Sequence, residues 1–160
     1  MPIPEFIAQL RSHVGTAPLW LSGAAAVILR DGGSGPEVLL IRRSDTGDWA
    51  LVSGIIDPGE HPVETLRREA LEEASVVIEV GRMLWLTVGD PVTYPNGDQC
   101  QFLDHGYAAR WVSGEARVGD DETTDVGWFP VDALPRPRRD DVEAGVRAAL
   151  APAGHILDRL

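Results

Sequence analysis

The spacing of apolar residues divides the chain into extended and helical pieces. Phe6, Ile7 and Leu10 recur at helical spacing within residues 4–13, so a short amphipathic helix is expected there, ended by Thr16 to Pro18. Residues 20–30 form a run rich in Ala, Val, Ile and Leu without proline, which predicts a buried strand. The turn cluster Asp31-Gly-Gly-Ser-Gly-Pro36 and a second apolar run over 37–43 make a hairpin of the two. A turn over 44–48, an extended piece over 49–53 and a loop over 55–60 follow. Pro62 suits the first turn of a helix, where its missing N–H costs nothing. From there to Ala74, Val63, Leu66, Ala70 and Leu71 are expected on one apolar stripe. Residues 76–88 read as extended with a bend at Gly81, 91–98 as a loop, 100–112 as a strand, 113–121 as an acidic loop and 126–130 as a short strand. Val142, Val146, Ala149 and Leu150 mark a C-terminal helix over 138–150. Strands and helices mix without strict alternation, and neither a repeat nor a linker splits the chain. The expected fold is a single α/β (α+β) domain layered around a mixed sheet, residues 19–160, with residues 1–18 an N-terminal helix or extension.

Composition narrows the functional classes. The chain has 160 residues, 44% of them hydrophobic, enough for one core and too apolar for wholesale disorder. The net charge of −11 argues against a nucleic-acid polymer as partner, because polyanion binding needs an excess of Lys and Arg. It leaves room for a small anionic substrate, since a carboxylate cluster holding divalent ions inverts the local field. The one cysteine, Cys100, cannot form an internal disulfide. His13, His61, His105 and His155 are scattered and suggest no histidine-based metal site. No apolar run reaches membrane-spanning length, and the N-terminus lacks the basic and apolar regions of a signal peptide, so the expected compartment is the cytoplasm, away from membranes. A homodimer is compatible with the sequence.

The chemistry is concentrated in residues 54–76, GIIDPGEHPVETLRREALEEASV. Glu69, Glu72 and Glu73 stand at i, i+3 and i+4, which sets three carboxylates on one helical face. Their repulsion costs a few tenths of about 1 kcal/mol per pair unless something offsets it. Oxygen-rich clusters of this kind suit hard cations such as Mg²⁺ or Mn²⁺. Arg68 lies eight residues after Glu60 and four after Glu64, so it is expected to brace the loop against the helix through either one. A lone REALEE segment is commonly a solvated helix face. Six identities fixed at set spacings are different: a window matches them by chance on the order of once in 10⁷ at ordinary residue frequencies.

This segment resembles the Nudix box: Gly, five residues, Glu, seven residues, Arg-Glu, an aliphatic residue, any residue, Glu-Glu, any residue, Gly and an aliphatic residue. Gly54, Glu60, Arg68, Glu69, Glu72 and Glu73 occupy the matching positions. The flanking LLIRR, WALVSG and WFPVDALP extend the likeness over roughly residues 21–135. Ser75 stands where the family has Gly, at a site that often needs a left-handed backbone, at a cost of about 1 kcal/mol. Ala70 stands for a larger aliphatic residue, and Ser53 for a first Gly whose backbone carbonyl ligates metal. No acidic position is lost.

The resemblance implies an α/β/α sandwich around a mixed β-sheet and a Mg²⁺- or Mn²⁺-dependent pyrophosphohydrolase acting on a nucleotide-like small molecule. It assigns metal binding to Glu69, Glu72, Glu73 and the Ser53 carbonyl, with Glu69 or Glu73 also acting on the attacking water. Gly54, Glu60 and Arg68 support the site. A further carboxylate is expected from the loop 119–125, with Glu122 as candidate and Glu115 second. Arg42, Arg43 and Tyr94 are the candidate substrate contacts. Pro91 falls near a proline of relatives that cut ADP-ribose, and Tyr94 near a tyrosine of relatives that cut dinucleoside polyphosphates. An ADP-ribose-like diphosphate is the leading substrate; a nucleoside triphosphate, or a nucleotide-binding module without turnover, are the alternatives. An isoprenoid diphosphate isomerase is disfavoured, because Cys100 is placed wrongly for it. Of Trp20, Trp49, Trp85, Trp111 and Trp128, each is expected in the core before it is expected to stack on a base.

Overall fold

The computed structural model describes residues 3–153; His155, one of the scattered histidines, lies outside them. In chain order the elements are α1 (Glu5–Val14), β1 (Leu19–Asp31), β2 (Pro36–Arg43), β3 (Trp49–Ala50), β4 (Val52–Ile55), α2 (Pro62–Ala74), β5 (Val77–Val88), β6 (Val92–Thr93), β7 (Gln99–Ser113), β8 (Thr123–Pro130) and α3 (Asp140–Leu150). All the strands join one mixed sheet with the path β3-β2-β1-β7-β5, while β4 pairs with β1, β6 with β7 and β8 with β2. The long β1–β7 pair is parallel and the others are antiparallel.

Period-two alternation sorts the core into two layers. On one face Ala24, Ala26 and Ile28 of β1, Leu39 and Ile41 of β2 and Tyr107 and Ala109 of β7 pack against Leu66, Ala70 and Ala74 of α2. On the other, Val27, Val38, Leu40, Leu51, Leu84 and Trp85 pack against Val142 and Val146 of α3. Ile7 of α1 packs with Leu21 and Cys100 at the far end of the α3 face. The result is an α/β/α sandwich, with β1 apolar on both sides because helices cover both.

Most elements fall within two residues of their expected bounds. Four details differ. The extended piece 49–53 is two strands, split at Leu51 so that β3 pairs with β2 and β4 with β1. The loop 91–98 holds the short strand β6. Leu71 and Leu10 are exposed, so each apolar stripe is narrower than helical spacing alone suggested. Trp20 is also exposed, at 57%, whereas Trp85 is fully buried.

Helix α2 is fixed at both ends. The His61 side chain accepts a hydrogen bond from the Val63 N–H, 3.2 Å away, and Pro62 opens the first turn. Ser75 closes the helix in the left-handed conformation, φ 57° and ψ 31°. Ala70, with no exposed surface, lets the helix lie close on the sheet. A left-handed Ser is strained where Gly is not. Ser75→Gly is therefore expected to stabilise the chain by about 0.5–1 kcal/mol and to raise the melting temperature by roughly 2–4 °C. Thermal unfolding of the variant checks this; an unchanged or lower value contradicts it.

Candidate functional site

The carboxylates of α2 do not share one environment. Glu69 and Glu73, four residues apart, turn toward the sheet and are 5% and 2% exposed, while Glu72 stands at the rim with its side chain 54% exposed. Glycine at position 54 makes room for this. Gly54 pairs with Ala24 on β1, and a Cβ there would overlap the Glu69 carboxylate. Burial pushes the Glu69 carboxyl up to about 7, although Arg68 beside it pulls the other way. Burial pushes Glu73 up to about 9, with the charges of Glu69, Asp120 and Glu122 adding to the effect. The backbone N–H of Ser53 offsets part of this. One Glu73 oxygen, Oε2, is buried without a hydrogen-bond partner.

Arg68 holds the rest together. Its Nε and Nη2 donate to the two oxygens of Glu60, at 3.1 and 3.0 Å, and Nη1 donates to Glu69 at 2.7 Å and to Glu72 at 3.4 Å. Glu60 also accepts from the Thr65 hydroxyl and the Asp57 N–H. The Arg68 guanidinium holds the Glu60 carboxyl below the usual range. Glu64, the other expected partner of Arg68, is exposed and unpaired with it.

The acidic loop reaches this site because it seats on the C-terminus of α2. The N–H groups of Arg117 and Gly119 donate to the carbonyls of Ala74 and Glu73, each at 3.2 Å. Glu122 comes close enough for its charge to be felt at Glu69, Glu73 and Arg43. Asp120 acts on Glu73 as well, and no signal in the sequence had singled it out from its neighbours. Glu115 is exposed and is not among the charges acting on Glu69 or Glu73.

The two arginines of β2 part company. Arg43 donates through Nε and Nη2 to Asp45, at 2.9 and 2.7 Å, and that pairing raises its basicity, with Glu73 and Glu122 adding to it. Arg42 pairs across the strands with Trp49, a residue of the α3 core, and donates to the Gly47 carbonyl at 3.0 Å. Neighbouring residues of a strand face opposite ways, so Arg43 is the one turned to the carboxylates. Tyr94 is half-exposed in the β6–β7 loop, where the charges of Arg43, Asp45 and Arg139 reach it.

The donor set suits a hard divalent cation: clustered carboxylates, one of them with an orphaned buried oxygen and another in the space that a Cβ at Gly54 would fill. Among the described residues, no three such side chains converge into a ready coordination shell. Glu69 and Glu72 are instead engaged by Arg68.

Comparison with known proteins agrees with this geometry. Residues 20–150 match the model of the NUDIX domain. The NAD-capped RNA hydrolase NudC of a strain of Pseudomonas fluorescens is 36% identical over 107 residues, 63% of this chain and 34% of that protein. The 8-oxo-dGDP phosphatase NUDT18 of Mus musculus is 32% identical over 144 residues, 85% of this chain and 38% of that protein. The chain thus spans about a third of the length of these curated relatives. The crystal structure of a MutT NUDIX hydrolase from Burkholderia pseudomallei aligns with a TM-score of 0.62 and 31% identity, covering 81% of this chain and 98% of that one. With the box residues gathered on α2, β4 and the loops around them, the chain belongs to the Nudix family.

Proposed function

We propose that the chain is a divalent-cation-dependent hydrolase that cuts the diphosphate linkage between a nucleoside and another group. The observation that carries this is the buried pair Glu69, lying over Gly54, and Glu73, held by the Ser53 N–H, with Glu73 Oε2 lacking a partner. Glu69, Glu72, Glu73 and the Ser53 carbonyl would hold Mg²⁺ or Mn²⁺, with Glu72 turning inward from the rim, where Arg68 holds it at 3.4 Å. A bound divalent ion would neutralise the diphosphate oxygens and lower the pKa of a bound water.

The protein groups divide the remaining work. Glu69 and Glu122 are the candidates for orienting the attacking water and taking its proton. Arg43, which feels the charges of Glu73 and Glu122, is the candidate cation on the substrate side. Arg68 is a positioning residue, fixing Glu60, Glu69 and Glu72 rather than touching substrate.

For the substrate, an ADP-ribose-like diphosphate is favoured over a triphosphate. The loop 89–98 holds Asp90 and Asp98 and neither Lys nor Arg, and Arg43 is already paired with Asp45. A triphosphate tail carries more charge and calls for more cations. The names of two relatives, an NAD-capped RNA hydrolase and an 8-oxo-dGDP phosphatase, each contain a nucleoside diphosphate unit. The charge of −11 favours a small molecule over RNA as the substrate.

Glu73→Gln and Glu72→Gln are each expected to lower turnover at least about a hundredfold with the fold kept. The assay is product analysis with Mg²⁺ on ADP-ribose, a diadenosine polyphosphate and a panel of deoxynucleoside triphosphates. AMP and ribose phosphate from ADP-ribose at the highest kcat/KM support the reading. Preference for a triphosphate with release of pyrophosphate sinks the substrate assignment, and full activity in both variants sinks the site. Arg68→Ala strips three carboxylates of one shared donor, and should lower the melting temperature as well as activity, by about 1–2 kcal/mol of stability given that the guanidinium is a third exposed. A large rise in KM with an unchanged melting temperature would make it a substrate contact instead.

A further inference from the structure

The C-terminal end of α2 is closed from two sides. Its own chain serves the earlier carbonyls: the Ser75 N–H donates to Leu71 at 3.1 Å and the Val76 N–H to Ala70 at 3.2 Å. The last two are served by the acidic loop 114–122, with the Arg117 N–H on the Ala74 carbonyl and the Gly119 N–H on that of Glu73, each at 3.2 Å. The loop comes this close only through glycine. A Cβ at Gly119 would overlap the backbone carbonyl of Glu72 and stand 3.3 Å from Ser75 Oγ, and one at Gly114 would stand 2.6 Å from the Ser75 carbonyl oxygen. The obstacle at Gly119 is backbone, which cannot swing aside as a side chain would. The φ of Gly119 is not in the left-handed region, so it is space, not conformation, that calls for glycine there.

Beyond Gly119 the loop is pinned again. The Glu122 carbonyl accepts from the Ser44 N–H at 2.7 Å, in the turn after β2, and Asp120 Oδ1 accepts from the Glu122 N–H at 3.1 Å. Thr123 then opens β8 in register with Arg43. Asp120, Asp121 and Glu122 are thus held between two backbone anchors, one of which is the carbonyl of Glu73 itself. Each of the joined parts carries a buried polar atom without a partner among the described residues: Glu73 Oε2 on the helix and Thr123 Oγ1 where the loop ends. That pattern fits a cation and its waters bound where the two parts meet. The charges of Asp120 and Glu122 reach the Glu73 carboxyl, in keeping with these anchors.

We propose that Gly119 is a positioning residue: it lets the loop lie directly on the last turn of α2 and so holds the carboxylates of Asp120 and Glu122 beside those of Glu69 and Glu73, where both groups act on one divalent-cation site. This rests on reading the chain as a divalent-cation-dependent hydrolase. Any larger residue at 119 pushes the loop away from the helix, and the loop carboxylates move with it. Gly119 touches neither cation nor substrate; it acts through the backbone that it allows to approach. Losing a support of this kind costs about 10–100-fold in metal affinity.

The test is calorimetric titration of Mg²⁺ and Mn²⁺ into the wild type, Gly119→Ala, the double variant Asp120→Asn with Glu122→Gln, and the triple variant, with the cation-free melting temperature of each. Gly119→Ala should weaken cation binding by about tenfold or more, and so should the double variant. Adding Gly119→Ala to the double variant should cost less than about threefold more, because the side chains it displaces no longer carry charge. A merely structural role would cost the same factor in both backgrounds, and that result overturns the proposal. So does wild-type affinity in Gly119→Ala or in the double variant. Ser44→Pro removes the anchor at the other end of the loop and leaves α2 untouched. It should repeat the loss, and it takes the place of Gly119→Ala in the cycle if that variant does not fold, with the same outcomes deciding. No cation binding by the wild type overturns the proposal together with the cation-dependent reading. Binding that the variants leave unchanged overturns the proposal and leaves that reading standing.

Discussion

Two glutamates of α2 are pressed, nearly dry, against β4, Glu69 over Gly54 and Glu73 on the Ser53 N–H. Gly54 lets the Glu69 carboxylate lie on β4, and Glu73 sits one turn further along with an oxygen that no group of the protein satisfies. An apolar pair at these positions would pack without the desolvation penalty. The rest of the architecture limits that penalty. The sheet and the caps of α2 hold the helix rigidly over β4. Arg68 neutralises Glu69 from the solvent side and anchors Glu60 in the preceding loop. The acidic loop is stitched to the end of the helix and adds charge of the same sign, through Asp120 and Glu122. Negative charge concentrated in this way is unfavourable for folding alone and favourable for gripping a divalent ion.

The fold was largely legible because its signals are local. Unbroken apolar runs marked β1 and β2, Pro62 and the Glu-rich segment bounded α2, and the glycine-rich cluster marked the hairpin. What escaped were matters of tertiary pairing. The split at Leu51 depends on β3 and β4 choosing different partners, which no local pattern records. Leu71 is apolar and at helical spacing, yet the contact between α2 and the sheet leaves it exposed.

The site was legible in its identities more than in its geometry. The spacing named Glu69, Glu72 and Glu73 together; only the structure separates two buried carboxylates from one at the rim. It offered Glu60 and Glu64 equally to Arg68, and the loop's return over the helix decides for Glu60. Arg42 and Arg43 looked interchangeable until strand alternation set them on opposite faces.

The central claim is that Glu69 and Glu73 are held for a divalent cation at the expense of the cation-free fold. Unfolded glutamates ionise near 4.5, whereas the folded groups are raised to about 7 and about 9. Between those limits the cation-free folded chain holds more protons than the unfolded chain, so the stability from these two groups falls as pH rises from about 4.5 to about 9. A cation needs both carboxylates ionised, so it stabilises most at the alkaline end. The direct measurement is the melting temperature against pH, with and without Mg²⁺ or Mn²⁺, for the wild type and Glu73→Gln. The account predicts that the cation-free wild type loses stability toward alkaline pH more steeply than Glu73→Gln. It also predicts a larger gain from Mg²⁺ at alkaline than at acidic pH, and little gain in the variant. Parallel pH curves for the two proteins, with the same response to Mg²⁺ at every pH, would contradict it.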